Sequence, residues 1–401
     1  MAQSFGKSAG QAGIITVAAL TVGQAAQGLT FTAFTPSLPQ MAQSFNGGGH
    51  GMAIAQQSVT IAAFGIIAGS FISGKIVEFF GSRATILVSL LLFGATGAGG
   101  LFLQQVWTLL ASRVITGFAA ACTITACINA ISNLFQGHGR ARTLGISAGI
   151  GSATALAGML IGGILAQRFG WRETFIQFPI FALLGFGLVL FGLRNTEGEA
   201  RPELESHAHI RGRLWPLYLL AVIISTIMFM GSSQFAFLLP EDGVTKATSI
   251  SHIMAAITVV AVPVSFAFGA IERQLGMNGT LAIGLAVNAA GLALIGLIPT
   301  ASAAVCGAAL MGIYVGITMP YLYHAITLKT ASENRVKAIG MIGAFNFLGA
   351  FLNPFIFAPA GALLGMHGLF LAAGIFMGAL TVAVLFTSHG LFQLQTVQAK
   401  H

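Results

Sequence analysis

Charge is what this chain has least of. Only 7% of its 401 residues are Asp, Glu, Lys or Arg, against roughly 25% in a soluble globular domain. A water-facing surface cannot be built from so few charges, so most of the outside must face an apolar medium, and lipid is that medium. Acids are the scarcer sign, 10 against 18 basic residues. In a soluble protein a net charge of +8 would point to nucleic acid. Here the basic residues sit in short loops, where they orient a chain in a membrane, and no nucleic-acid partner is expected. Cysteine is scarce too. Cys122, Cys127 and Cys306 lie inside apolar runs with no C-x-x-C pair, so they read as buried, reduced packing residues. No G-x-x-x-x-G-K-[ST] loop occurs, which disfavours an ATP-driven pump. No cofactor is expected. Clustered nucleophiles at membrane depth are missing as well, so the chain does not read as an enzyme.

Apolar residues fill the space that charge leaves. They make up 56% of the chain, mean hydropathy is +0.87, and Gly (52) and Phe (32) far outnumber Tyr (4) and Trp (3). Glycine on this scale suits close helix approach in membranes; without a G-x-y period it does not suit collagen. A spanning helix needs about 20 mostly apolar residues. Twelve such runs are predicted: 12–38, 52–73, 84–104, 107–134, 143–166, 174–193, 214–238, 247–270, 279–298, 302–328, 337–364 and 367–388. The first is too long for a typical signal peptide and reads as the first span. The runs are too long, and their period too helical, for the alternating strands of a membrane β-barrel.

The long polar segment 194–213 carries Glu197, Glu199, Glu203, Glu205, His207 and His209. It divides the chain into an N-terminal region 1–193, a linker 194–213 and a C-terminal region 214–401, with six spans on each side. With a cytoplasmic N-terminus, fourteen of the eighteen basic residues fall inside. Arg168, Arg172 and Lys246 fall outside, and Arg113 lies within a span. That bias predicts both termini to be cytoplasmic.

Short motifs punctuate the spans. The loop after the second reads Gly74-Lys-Ile-Val-Glu78-Phe79-Phe-Gly81-Ser82-Arg83. It is similar to the Gly-x-x-x-Asp-Arg-x-Gly-Arg-Arg cytoplasmic signature of the major facilitator superfamily, with Phe79 and Ser82 in place of two arginines. Gly269-Ala-Ile-Glu272-Arg273-Gln-Leu-Gly276 looks like a degenerate copy in the second half. Arg113-Val-Ile-Thr-Gly117 resembles the superfamily's Arg-x-x-x-Gly in the fourth span. Gly158-Met159-Leu-Ile-Gly162-Gly163 resembles the Gly-Pro-x-x-Gly-Gly of its antiporters, with Met159 for Pro. Phe169-Gly-Trp171-Arg172-Glu-Thr-Phe175 looks like the sequence that follows that span in the drug-efflux branches. The chain thus resembles this superfamily along its whole length, and its bacterial efflux permeases in particular. The resemblance implies an all-α polytopic fold of two pseudo-symmetric six-helix bundles, working by alternating access around a midplane site. It also implies a bacterial-type inner membrane and a monomer, with a small-molecule substrate, the lipid bilayer and protons as partners.

None of the ten acids lies mid-membrane. An embedded carboxylate is the usual mark of a carrier for organic cations, so a neutral or anionic cargo is expected. The one embedded charge, Arg113, is costly at depth and therefore a functional pointer. It could fix helices through backbone carbonyls, bind substrate or carry protons. Tyr314, Thr318, Tyr321 and His324 lie on one helical stripe beside Pro320. His324 is the best embedded titratable group for proton coupling or gating. If the superfamily's lining spans apply, Gln24, Gln27, Phe31, Arg113, Gln234, Tyr314, Thr318, Tyr321 and Asn346 form the substrate site. Gly74, Glu78, Gly81, Arg83, Arg113, Gly158, Gly162 and His324 then serve coupling and gating. Small-residue pairs, Gly65–Gly69, Gly145–Gly149 and Gly158–Gly162, would let helices pack closely. Glu241, Asp242 and His252, or the linker's His207 and His209, offer metal-ligand types without a spacing motif, and no metal site is expected. The function expected is export of a small amphiphilic or anionic organic compound. The alternatives are organic-anion uptake, uniport or exchange, and a receptor that has lost transport.

Overall fold

The computed structural model describes residues 9–45, 48–135, 137–193, 214–330 and 335–387. The linker 194–213, with its acids and histidines, and Lys7, Glu333 and Lys400 lie outside them. Among the described residues there are fourteen α-helices and no strand. In chain order they are α1 (Ala9–Thr32), α2 (Leu38–Ser44), α3 (Gly48–Phe80), α4 (Ser82–Gly97), α5 (Gly99–Phe102), α6 (Val106–Leu134), α7 (Gly137–Arg168), α8 (Gln177–Gly192), α9 (Trp215–Met228), α10 (Met230–Ser233), α11 (Phe235–Glu241), α12 (Ala247–Leu297), α13 (Ala301–Lys329) and α14 (Arg335–Thr387).

Among the described residues ten helical runs are long and apolar enough to cross a bilayer, two fewer than the twelve predicted spans. The difference lies in α12 and α14, of 51 and 53 residues. At about 1.5 Å per residue each is more than twice as long as a hydrocarbon core of about 30 Å is thick. Each is broken once, at Gly276 (φ 67°, ψ 173°) and Gly365 (φ 72°, ψ 169°). Each long run is therefore two antiparallel spans joined at one glycine, and the all-α, twelve-span, two-bundle fold stands. Gly81, between α3 and α4, takes the same conformation (φ 77°, ψ 159°). With an L side chain this region is all but closed, so the turn needs glycine. Gly81 and Gly276 end the two copies of the loop motif, seven residues after Gly74 and Gly269 respectively. Both copies of the motif therefore end their helix at a glycine turn of the same kind.

The chain divides into two compact units, Met1–Glu203 and Leu204–His401. In the first, α1 packs on α6 and α7, α3 on α6, and α4 on α6 and α8. Leu20, Val77, Ile86, Leu90, Cys127, Ile131 and Val189 make a core there. In the second, α12 packs on α13 and α14, and α14 on α9. Side chains such as Phe71, Phe102, Trp107, Phe191, Phe266 and Leu363 point outward, as a lipid-facing belt requires. Cys122 and Cys127 are buried, whereas Cys306 is exposed. The expectation of three buried thiols is corrected at Cys306, which sits on an outward face of α13 rather than against another helix.

Candidate functional site: interrupted spans and their buried donors

The first span is not a continuous helix. It stops at Thr32, turns through a 3-10 segment at Thr35–Ser37 and resumes as α2. A helix end leaves its last carbonyls without intrahelical donors, and in a bilayer those groups must be satisfied by protein. Arg113 of α6 does this. Its Nη2 donates to the Thr30 carbonyl at 2.5 Å and its Nε to the Ser58 carbonyl of α3 at 3.1 Å. Gln177, at the start of α8, donates through Nε2 to the Ala33 carbonyl at 2.9 Å.

Arg113 is wholly buried. Its Cζ lies 4.9 Å from the ring centres of both Phe34 and Phe178 and 5.9 Å from that of Phe175. Hydrogen bonds from a charged donor are worth about 1.5–3 kcal/mol each, and a desolvated cation–π contact about 2 kcal/mol. Together they offset the roughly 2.5–3.5 kcal/mol that insertion scales assign to a mid-membrane arginine. Arg113 therefore needs no acid. One nitrogen, Nη1, is buried without a hydrogen-bond partner among the described residues, as are both amide atoms of Gln56 on α3.

The second unit repeats the arrangement with neutral groups. Its first span breaks into α9, α10 and α11. Tyr314 of α13 donates its hydroxyl to the Ile224 carbonyl at 3.0 Å, in the last turn before the break. Asn353 of α14 donates through Nδ2 to the Thr226 carbonyl at 2.7 Å and accepts from Gln234 Nε2 at 2.8 Å and Ser233 Oγ at 2.7 Å. Ser233 also bonds Gln234, and Ser225 bonds Asn346. Gln234 and Asn353 are fully buried.

The remaining candidates fall as follows. Thr318 and Tyr321 are buried on α13 beside Tyr314, Thr318 bonding the Tyr314 carbonyl at 2.6 Å. His324, half-buried, lies 6.2 Å from the Phe268 ring. The α13 helix passes Pro320 without interruption. Gln24 and Gln27 are half-buried on α1, and Phe31 is buried. A Cβ on Gly158 would meet Leu29 Cδ1 at 2.5 Å, and one on Gly162 would collide with the Ala33 carbonyl oxygen. These two glycines are what lets α7 lie against the break in the first span. Gly65 and Gly69 do the same for α3 against α6. Gly145 and Gly149 meet nothing within 4 Å, so that pair makes no close helix contact in its own unit, contrary to expectation. In the loop motif Gly74 also faces open space, Glu78 is exposed, and Arg83 donates to the Leu190 carbonyl at 3.0 Å.

Arg172 shows what the Gly-Trp-Arg sequence holds together. Its Nη1 donates to the Gly100 and Leu103 carbonyls, each at 3.0 Å, and its Cζ stacks 4.5 Å over Trp171. It thereby caps the end of α5. Sequence reasoning missed Gln177 and His367; the latter's Nε2 lies 3.1 Å from Asp242.

Twelve spans in two units, each with an interrupted first span held by buried donors, define a polytopic membrane protein. The sequence profile described as Major Facilitator Superfamily matches residues 20–354. Multidrug resistance protein 2 of Bacillus subtilis is 25% identical over 342 residues, covering 79% of this chain and 82% of that protein. Multidrug resistance protein MdtL of a Shewanella species is 24% identical over 198 residues, covering 47% and 48%. The chain spans about half or less of the length of several such curated relatives. The inward-open xylose transporter XylE of Escherichia coli superposes with a TM-score of 0.69 at 16% identity, over 92% of this chain and 95% of that one. The chain belongs to the Major Facilitator Superfamily. It is a multi-pass membrane protein of this family, and drug-resistance proteins are among its relatives.

Proposed function

We propose that this chain is a secondary active transporter that exports a small amphiphilic organic compound by alternating access. The observation that carries the proposal is the chemistry of the buried polar groups. In the second unit they are amides and hydroxyls, Gln234, Asn353, Thr318 and Tyr314, with Asn346 half-buried beside Ser225. In the first unit the one embedded charge is largely committed to carbonyls and aromatic rings. Such groups suit a neutral or weakly polar cargo with apolar bulk, and similarity to multidrug resistance proteins supports the outward direction. We assign substrate contact to Gln24, Gln27, Phe31, Gln234, Tyr314, Thr318, Tyr321 and Asn346, and coupling or gating to the loop motif, Gly158, Gly162 and His324.

One observation favours a second reading, an organic-anion carrier. Arg113 keeps Nη1 buried and unpartnered among the described residues, and an anionic oxygen is the partner such a donor would take. A ligand-induced thermal-shift panel of matched anionic, neutral and cationic amphiphiles separates the two, followed by flux in vesicles of either orientation. Export of an amphiphile predicts stabilisation by neutral compounds that persists in Arg113→Gln, with net flux outward. Stabilisation by anions that disappears in Arg113→Gln moves the assignment to the anion carrier. Stabilisation by cations alone overturns both.

A further inference from the structure

At the end of the second unit's interrupted span the chain makes a tight turn. Pro240 lies in α11, Gly243 has φ 82°, and the Asp242 and Val244 amides both donate to the Leu239 carbonyl at 3.1 and 2.9 Å. The turn puts Asp242 at the C-cap of α11 with its side chain only 1% exposed. This is a poor place for a carboxylate. The helix C-terminus is itself negative, Glu241 is the preceding residue, and neither Asp242 oxygen makes a hydrogen bond that satisfies it among the described residues. Among the described residues the ionisable partner facing it is His367, two residues beyond the Gly365 break, whose Nε2 lies 3.1 Å from Asp242 Oδ1 and 4.0 Å from Glu241 Oε2.

The other side of the ring decides the proton count. His367 Nδ1 lies 3.1 Å from the Ile295 carbonyl. A carbonyl can only accept, so Nδ1 carries a hydrogen. A neutral ring then sets an unprotonated Nε2 3.1 Å from the Asp242 oxygen, a repulsive pairing with a carboxylate that one added proton relieves. Either imidazolium faces carboxylate or neutral imidazole faces carboxylic acid. Both contain one proton more than the unpaired neutral ring and free carboxylate.

We propose that Asp242 and His367 form a binding site for a single exchangeable proton, which pins together the ends of α11, the second half of α12 and the corner of α14. Three segments meet there. Asp242 comes from the first, Ile295 from the second and His367 from the third. The last two are in close contact, since a Cβ on Gly296 would lie 2.8 Å from the His367 carbonyl oxygen. With the proton bound the pair is neutral overall. Without it a negative charge is left buried and the contact becomes repulsive. Burial raises both carboxyls above their ordinary values, opposed by His367, and at Glu241 the neighbouring Asp242 adds to the rise.

Other titratable groups on the adjoining helices stand apart from the pair. Lys246 and His252, at the start of α12, are exposed. Glu272 and Arg273 lie near the Gly276 break, at the far end of that span from Ile295. On α13, Cys306 lies near the helix start, while Tyr321, Tyr323, His324 and Lys329 belong to its last turns. Tyr314 is bonded to Ile224 near the middle of α13, and Tyr218 begins α9.

The sign follows from the raised carboxyl. The stabilisation is complete at acidic pH and is lost as pH rises through the pair's titration, above the usual aspartate value of about 3.9. The test is the melting temperature of the purified full chain from about pH 3.5, below the usual aspartate value, to about pH 9, in wild type, Asp242→Asn, His367→Gln and Glu241→Gln. The expected result is a wild-type melting temperature that falls with pH and a slope removed by Asp242→Asn and His367→Gln. Glu241→Gln, which takes away a nearby negative charge, moves the midpoint to lower pH while keeping the slope. A flat wild-type profile, or an unchanged slope in Asp242→Asn, overturns the proposal. Should Asp242→Asn fail to fold, an unmoved midpoint in Glu241→Gln overturns it instead.

Discussion

A single methyl group separates structural from free glycines in α7. Gly162 lies against the Ala33 carbonyl, so that a Cβ there collides with backbone, which cannot swing away as a flexible side chain can. Overpacking of this kind costs about 1–3 kcal/mol. Gly145 lies on the same helix with open space where a Cβ would go, and replacing a helical glycine by alanine gains about 0.5–1 kcal/mol. Gly162→Ala is therefore expected to lower the melting temperature, and Gly145→Ala to leave it unchanged or raise it. Thermal denaturation of the two purified variants checks this. Equal losses would mean that α1 and α7 do not meet as described. Impaired transport by a Gly145→Ala protein of undiminished stability would show that this face closes on a neighbour during the cycle.

At the scale of elements, three turns depend on glycine for a different reason. Gly81, Gly276 and Gly365 combine positive φ with ψ near 160–170°, a region that costs a non-glycine residue about 1–3 kcal/mol. Asparagine, which tolerates the left-handed helical region, gains nothing at such a ψ. Alanine and asparagine at Gly276 are thus both expected to lower the melting temperature or the folded yield, by similar amounts; rescue by asparagine would show that the turn relaxes into the left-handed helical region. The spans themselves were legible in the sequence because bilayer thickness imposes a length of about 20 apolar residues that no tertiary contact is needed to reveal. The breaks in the first and seventh spans were legible only in part. Pro36 lacks the amide that would bond the Thr32 carbonyl and so marks the first stop, but the donors that satisfy the carbonyls near the two breaks, Arg113, Gln177 and Asn353, come from spans far along the chain and carry no local sign. For the same reason Arg113 was legible as a buried charge while its partners were not. His367 carried no signal of its own until the fold set it against Asp242.

Over the whole molecule the outward apolar side chains and the basic loops tell two halves of one story. Residues such as Phe71, Phe266 and Leu363 are mostly exposed, which is tenable only where lipid covers them. The basic residues choose which way the covered body is threaded. Arg140 lies before the fifth span and Lys246 before the eighth, and both are exposed. The charge bias predicts Arg140 on the cytoplasmic side and Lys246 outside. Cys306 is the exposed native thiol, whereas Cys122 and Cys127 are buried, so a Cys306→Ala background gives a quiet starting point. In it, Lys246→Cys is expected to react with a membrane-impermeant maleimide in intact cells. Arg140→Cys is expected to react only after the membrane is opened. The reverse pattern would invert the orientation and, with it, place the Asp242–His367 pair on the cytoplasmic face, where the proton it binds would be drawn from the opposite compartment.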